Sequence, residues 1–100
     1  MSEYTILSEE EITKSLNNLS PWNLDGDNLQ ATFKCASYSA AIAFIVEVGF
    51  LSEKFDHHPG FSVSYSTVRF SYCTHDVENK ITDVDIKLAQ AISAIVERFQ

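Results

Sequence analysis

Leu29-Gln30-Ala31-Thr32-Phe33-Lys34-Cys35 carries an apolar side chain at every second position, with Gln30, Thr32 and Lys34 between them. Successive side chains of a strand point to opposite faces, so this alternation specifies a β-strand with one buried face. Immediately before it, Trp22-Asn23-Leu24 and the turn residues Asp25-Gly26-Asp27 complete a β-hairpin. An isolated hairpin cannot cover its own apolar face, so the rest of the chain must supply a partner layer. Trp22 is read as a core or edge aromatic rather than a ligand platform, because one face of the hairpin must be covered.

The same alternation returns in Ser62 to Tyr65 and Thr67 to Thr74, where Val68, Phe70 and Tyr72 face one side and Arg69, Ser71 and Cys73 the other. Between the two strand pairs, from about Ser39 to Asp56, Ala41, Phe44, Ile45, Val48 and Phe55 fall at helical spacing. Ala40, Ile42 and Leu51 widen that stripe, which predicts a largely buried central helix. Pro59 disfavours helical geometry at His58, so the helix is expected to end close to His57. Ser8-Glu9-Glu10-Glu11 is a capping box that opens a first helix with Ile12, Leu16 and Leu19 as its stripe, and Asn17-Asn18 and Ser20-Pro21 close it. Thr82-Asp83-Val84-Asp85 caps a last helix with the stripe Val84, Leu88, Ala91, Ile92, Ile95 and Phe99. The order α-β-β-α-β-β-α predicts an α+β fold, an antiparallel sheet with helices packed on one face.

One hundred residues, 45% hydrophobic and 21% charged, suit one domain with one core, and neither a repeat nor a low-complexity tract is present. The formal charge of −7 repels phosphate backbones and anionic lipid surfaces, which argues against direct nucleic-acid binding. Met1-Ser2-Glu3-Tyr4 has no basic region followed by an apolar stretch, and the apolar run from Ala40 to Val46 stops at Glu47. A cytoplasmic protein without a membrane span is expected. Cys35 and Cys73 are far apart and lack metal-ligand spacing, so they are read as two buried thiols.

All three histidines lie between Glu53 and Asp85: His57 and His58 just past the expected helix end, and His75 on the loop after the last strand. Imidazoles titrate near neutrality, so converging histidines hold protonated and neutral forms at once, which suits chemistry that needs an acid and a base. Glu53, one helical turn before His57, is placed to orient it, and Asp56, Asp76 and Asp85 add negative potential. The residues alone leave other readings open, with His57 and His58 as helix-end residues and His75 as a loop decoration. A zinc site has no H-x-x-x-H or C-x-x-C spacing behind it.

The run Glu53-x-x-x-His57-His58-Pro59, five residues, Tyr65, nine residues, His75, nine residues, Asp85 resembles the signature of the pterin-4a-carbinolamine dehydratases. Pro21-Trp22-Asn23-Leu24-Asp25-Gly26-Asp27, Leu29-Gln30-Ala31-Thr32-Phe33-Lys34 and the Ala43-Phe44 helix are similar to the family as well, so the resemblance covers almost the whole chain. It implies a four-stranded antiparallel sheet and assembly as a homodimer or homotetramer. The implied reaction is dehydration of a 4a-hydroxytetrahydropterin, with no metal or organic cofactor. His57 and His75 are then expected as the acid–base pair, with His58 positioning the pterin or sharing the proton load. Asp56, Cys73, Thr74 and Asp76 are expected to flank the pterin, and Glu53 and Asp85 to support the histidines. Gly60-Phe61 departs from the family, which often has an acidic or polar residue and then tryptophan there. Some animal members also serve as dimerisation partners of a transcription factor through a helix face, which keeps a non-catalytic interaction module as the alternative.

Overall fold

A computed structural model describes residues 4–100. Its elements run α1 (Glu9–Leu16), β1 (Asn23–Asp25), β2 (Asn28–Lys34), α2 (Tyr38–Phe55), β3 (Gly60–Ser64), β4 (Thr67–Tyr72) and α3 (Asp83–Val96), the order expected. The four strands form one antiparallel sheet in the order β1-β2-β4-β3. Leu29, Ala31 and Phe33 of β2 and Val68, Phe70 and Tyr72 of β4 supply its buried face, as their alternation requires.

Phe44 of α2 and Ile92 of α3 are fully buried in the same core, together with Trp22. The rings of Trp22, Phe33, Phe44 and Phe70 lie 5.8 to 6.0 Å apart in mostly edge-to-face pairs, a geometry that adds to their area burial. Trp22 donates its indole N–H to Ser93 Oγ at 2.8 Å, which satisfies its one polar group. Each predicted helix start is present. Ser8 accepts the Glu11 N–H while Glu11 returns to the Ser8 N–H, and Thr82 donates its N–H to Asp85. Cys35 and Cys73 are free, buried thiols.

Three expectations need correction. The central helix is not largely buried: Ala41, Phe44, Val48 and Ser52 are covered, whereas Tyr38, Ile42, Val46 and Phe50 are exposed, Phe50 by 72%. A helix lying on one sheet face buries one side only, and the composition of α2 is apolar all round. The stripe of α3 is rotated from the predicted one. Asp85, Ile86, Leu88, Ala89, Ile92 and Val96 are buried, while Val84, Ala91, Ile95 and Phe99 are only partly covered. Finally, Tyr65 turns between β3 and β4 with φ 57, and β4 ends at Tyr72 rather than Thr74.

Gly60 explains one departure of the sequence. A Cβ at this position would lie 2.7 Å from the Ser71 carbonyl oxygen across the β3–β4 pairing, closer than side chains tolerate. Phe61 beside it is exposed and borders a cleft with Val48, Gly49 and Pro59.

Candidate active site

Two chain ends of the sheet meet by register. β3 pairs antiparallel to β4 with Gly60 opposite Ser71, so the residues just before β3 and those just after β4 leave the sheet side by side. That places His57-His58-Pro59 against Cys73-Thr74-His75. The resulting cleft, about 210 Å³, is lined by Asp56, His57, His58, Cys73, Thr74, His75 and Asp76, together with Tyr4. All seven residues expected around a pterin therefore share one cleft. Glu53 and Asp85 stand behind it as partners of the histidines.

His57 turns inward because α2 ends on a left-handed residue. Asp56 has φ 50 and ψ 46, its N–H returns to the Glu53 carbonyl, and the His57 N–H returns to the Ser52 carbonyl at 3.0 Å. The reversal carries His57 off the helix face that holds Glu53 and into a slot between Tyr4 and Tyr72, where it is 8% exposed. Glu53 consequently does not reach His57. It accepts from His58 Nε2 at 2.8 Å in an exposed pair, a contact that orients more than it stabilises.

The carboxylate at His57 is Asp85. Its side chain is fully buried, and Oδ1 accepts from His57 Nε2 at 2.6 Å. Oδ2 accepts from the Thr74 hydroxyl at 2.7 Å and from the Thr82 N–H at 2.8 Å. Asp85 thus caps α3 and holds His57 at the same time. A buried carboxylate is retained only with such partners, and among the described residues every buried side-chain polar atom has one. Burial, reinforced by Asp85, pushes the Tyr72 phenol well above its ordinary range, so it stays protonated and donates to the Asp85 carbonyl at 2.9 Å. Burial also raises the Cys73 thiol, with Asp85 and Asp27 adding to the effect.

Each histidine has one ring nitrogen tied to an oxygen. His75, at the start of a 3₁₀ turn over His75–Val77, places Nδ1 2.6 Å from Asn79 Oδ1. His57 Nδ1, His58 Nδ1 and His75 Nε2 make no hydrogen bond among the described residues. No group of three His, Cys, Asp or Glu among the described residues is arranged to hold a metal ion.

The family model for pterin 4 alpha carbinolamine dehydratase matches residues 5–95. The chain belongs to the pterin-4a-carbinolamine dehydratase family. Relatives from Chloroflexus aurantiacus and Chloroflexus aggregans, which carry the name pterin-4-alpha-carbinolamine dehydratase provisionally, are 40% and 42% identical over 90 and 91 residues. In each case 90% of this chain and 96% of the relative are covered. The crystal structure of a transcriptional coactivator/pterin dehydratase from Brucella melitensis superimposes with a TM-score of 0.85 at 34% identity. It covers 92% of this chain and 99% of its own.

Two residues of this family member's site carry no signal in the sequence, Tyr4 in the lining of the cleft and Asn79 behind His75. Tyr4 arrives because the N-terminal segment pairs with the start of α3: Leu7 N–H bonds to the Ile81 carbonyl, and Thr5 N–H to Asp83 Oδ1 at 2.9 Å. Its hydroxyl then donates to Asp76 at 3.4 Å. No local pattern near Tyr4 signals this docking. Asn79 lies in the loop segment Val77-Glu78-Asn79-Lys80, and only its contact with His75 Nδ1 gives it significance.

The Thr5 N–H, helped by Lys87, holds the Asp83 carboxyl below the usual carboxylate range. A folded-state value below the unfolded one stabilises the docked segment above the ordinary carboxylate pKa and loses that contribution as pH falls through the depressed value. The protection factor of the Thr5 amide is therefore expected to drop as pH falls below about 4. Hydrogen exchange against Asp83→Asn, which should be weakly protected at every pH, checks it.

Proposed function

We propose that the protein dehydrates a 4a-hydroxytetrahydropterin to the quinonoid dihydropterin in the cytoplasm, with His57 and His75 as the acid–base pair and His58 positioning the ring. The observation that carries this reading is one cleft in which three histidines each have one nitrogen held by an oxygen and the other without a hydrogen bond among the described residues. One protonated imidazole delivers a proton to the C4a hydroxyl, which leaves as water. The N5 lone pair forms the C4a–N5 double bond, and a neutral imidazole removes the N5 proton. Protons and electrons balance within the substrate, so the reaction calls for no metal or organic cofactor. Cys73, Thr74, Asp56 and Asp76 supply thiol, hydroxyl, carboxylate and backbone groups that match the donor and acceptor edge of a pterin.

The test is the rate of disappearance of a freshly generated 4a-hydroxytetrahydropterin with and without purified protein. Acceleration proportional to protein concentration supports the reading. A folded protein that leaves the spontaneous rate unchanged removes it.

A second role is favoured by one feature. Tyr38, Ile42, Val46 and Phe50 recur every four residues as an exposed apolar line along α2, the kind of surface that proteins cover with a partner. Self-association as a homodimer or homotetramer, or capture of another protein in a coactivator-like role, would cover it. Val46→Lys with Phe50→Lys is expected to lower the assembly state measured by light scattering while the histidine cleft keeps its dehydratase rate. An unchanged mass would place the interface elsewhere.

A further inference from the structure

We infer that Asn79 is a positioning residue that fixes the tautomer of His75, holding the proton on Nδ1 and leaving Nε2 bare to receive a proton in the cleft. This inference rests on the dehydratase reading for its catalytic consequence, but the tautomer itself is a property of the protein alone.

The placement is built by the backbone. Thr74 N–H bonds to the Lys80 carbonyl at 3.0 Å, closing the loop that carries His75 back on itself. Inside it, Glu78 and Asn79 are consecutive left-handed residues, with φ 59 and φ 60. Asparagine accepts that conformation better than most side chains do, whereas glutamate does so at a cost. The loop therefore holds strain in the conformation that brings Asn79 over the imidazole.

Two contacts converge on one atom. Asn79 Oδ1 lies 2.6 Å from His75 Nδ1 and 3.9 Å from Cys73 Sγ. Burial keeps Cys73 a thiol, so its S–H is a donor. Because the Cys73 thiol donates to it, the amide presents its oxygen, and an oxygen 2.6 Å from His75 Nδ1 requires the proton there. The other two histidines differ in kind, because their held nitrogens face carboxylates, Asp85 for His57 and Glu53 for His58. A carboxylate balances the charge of an imidazolium. A neutral amide fixes a tautomer without adding charge, which suits a ring that enters the reaction neutral. The other titratable groups sharing the cleft with His75 are Tyr4, Asp56, His57, His58, Cys73 and Asp76.

Because φ at position 79 is positive, Asn79→Gly removes the amide without straining the backbone, and Asn79→Asp keeps an acceptor while adding charge. The experiment is long-range ¹H–¹⁵N NMR of the His75 ring above its titration, beside kcat and KM for dehydration across pH. Native protein is expected to show the Nδ1–H tautomer. Asn79→Gly should shift the population toward Nε2–H and lower kcat on the order of tenfold with little change in KM, the scale of losing the partner that orients a working histidine. Asn79→Asp should retain Nδ1–H and move the acidic limb of the rate profile to higher pH, since the new carboxylate holds a proton on His75.

An Nε2–H ring in the native protein overturns the inference, because the amide would then be donating. So does an Asn79→Gly variant with unchanged tautomer and kcat. Native protein with the Nδ1–H ring but no dehydration would remove the proposed function and leave the positioning role standing. Dehydration by a protein with the Nε2–H ring would do the opposite.

Discussion

Replacing His57 with alanine is expected to lower dehydration turnover by about 10²–10⁴-fold, the range for loss of a general acid or base. His75→Ala should fall in the same range, because the proposed reaction assigns the two rings to the two halves of one proton balance. Stability separates them. His57 is buried against Asp85, so truncation leaves a buried carboxylate short of a donor and costs about 1–3 kcal/mol. His75 is exposed and its truncation should stay within about 0.5 kcal/mol. Steady-state kinetics with denaturant unfolding on both variants checks the pair of expectations. Equal losses of stability would mean that His57 is not held as the geometry shows.

The second large effect is at Asp85. Asp85→Ala removes the acceptor for His57, for the Thr74 hydroxyl and for the Thr82 N–H in a fully buried position. Breaking such a site by deleting one partner typically costs about 3–5 kcal/mol, a large share of a marginal total. Asp85→Asn is the more informative change, since it keeps the shape. An amide that still accepts from Thr74 and Thr82 through its oxygen must point its NH₂ at His57 Nε2. The His57 proton is then driven to Nδ1, the nitrogen facing the cleft. Turnover is expected to fall by about 10²-fold or more, as when a triad histidine is forced into the wrong tautomer, while the protein remains folded. Full activity in a folded Asp85→Asn variant would reduce Asp85 to a helix cap.

Each structural signal in the sequence extends only as far as the interaction behind it. Strand alternation in Leu29–Cys35 and Val68–Tyr72, the caps at Ser8 and Thr82, and the stop imposed by Pro59 are local, and each appears where expected. The convergence of His57, His58 and His75 follows from hairpin register, so their spacing carried it. The partner of His57 did not follow from spacing. An i, i+4 relation pointed to Glu53, but the relation fails once the backbone reverses at Asp56, and left-handed geometry at an aspartate leaves little trace in a periodic pattern.

Burial was the other gap. Apolar residues surround α2, so periodicity does not identify which side faces the sheet, and Ile42 fits the apolar stripe although it is exposed. On α3, the buried carboxylate of Asp85 lies in the stripe itself, a position that an apolar pattern leaves out. Tyr4 reaches the cleft through pairings with residues distant in sequence, and Asn79 reaches His75 through a strained loop, and neither leaves a local signature.

The most direct test of acid–base dehydration in this cleft is the pH dependence of kcat/KM for a 4a-hydroxytetrahydropterin. With one imidazole required protonated and another required neutral, a bell-shaped profile is expected, and His75→Ala should abolish one of its limbs. A native protein whose enzymatic rate stays flat from about pH 5 to 8, the span in which histidines change charge, would contradict histidine acid–base catalysis.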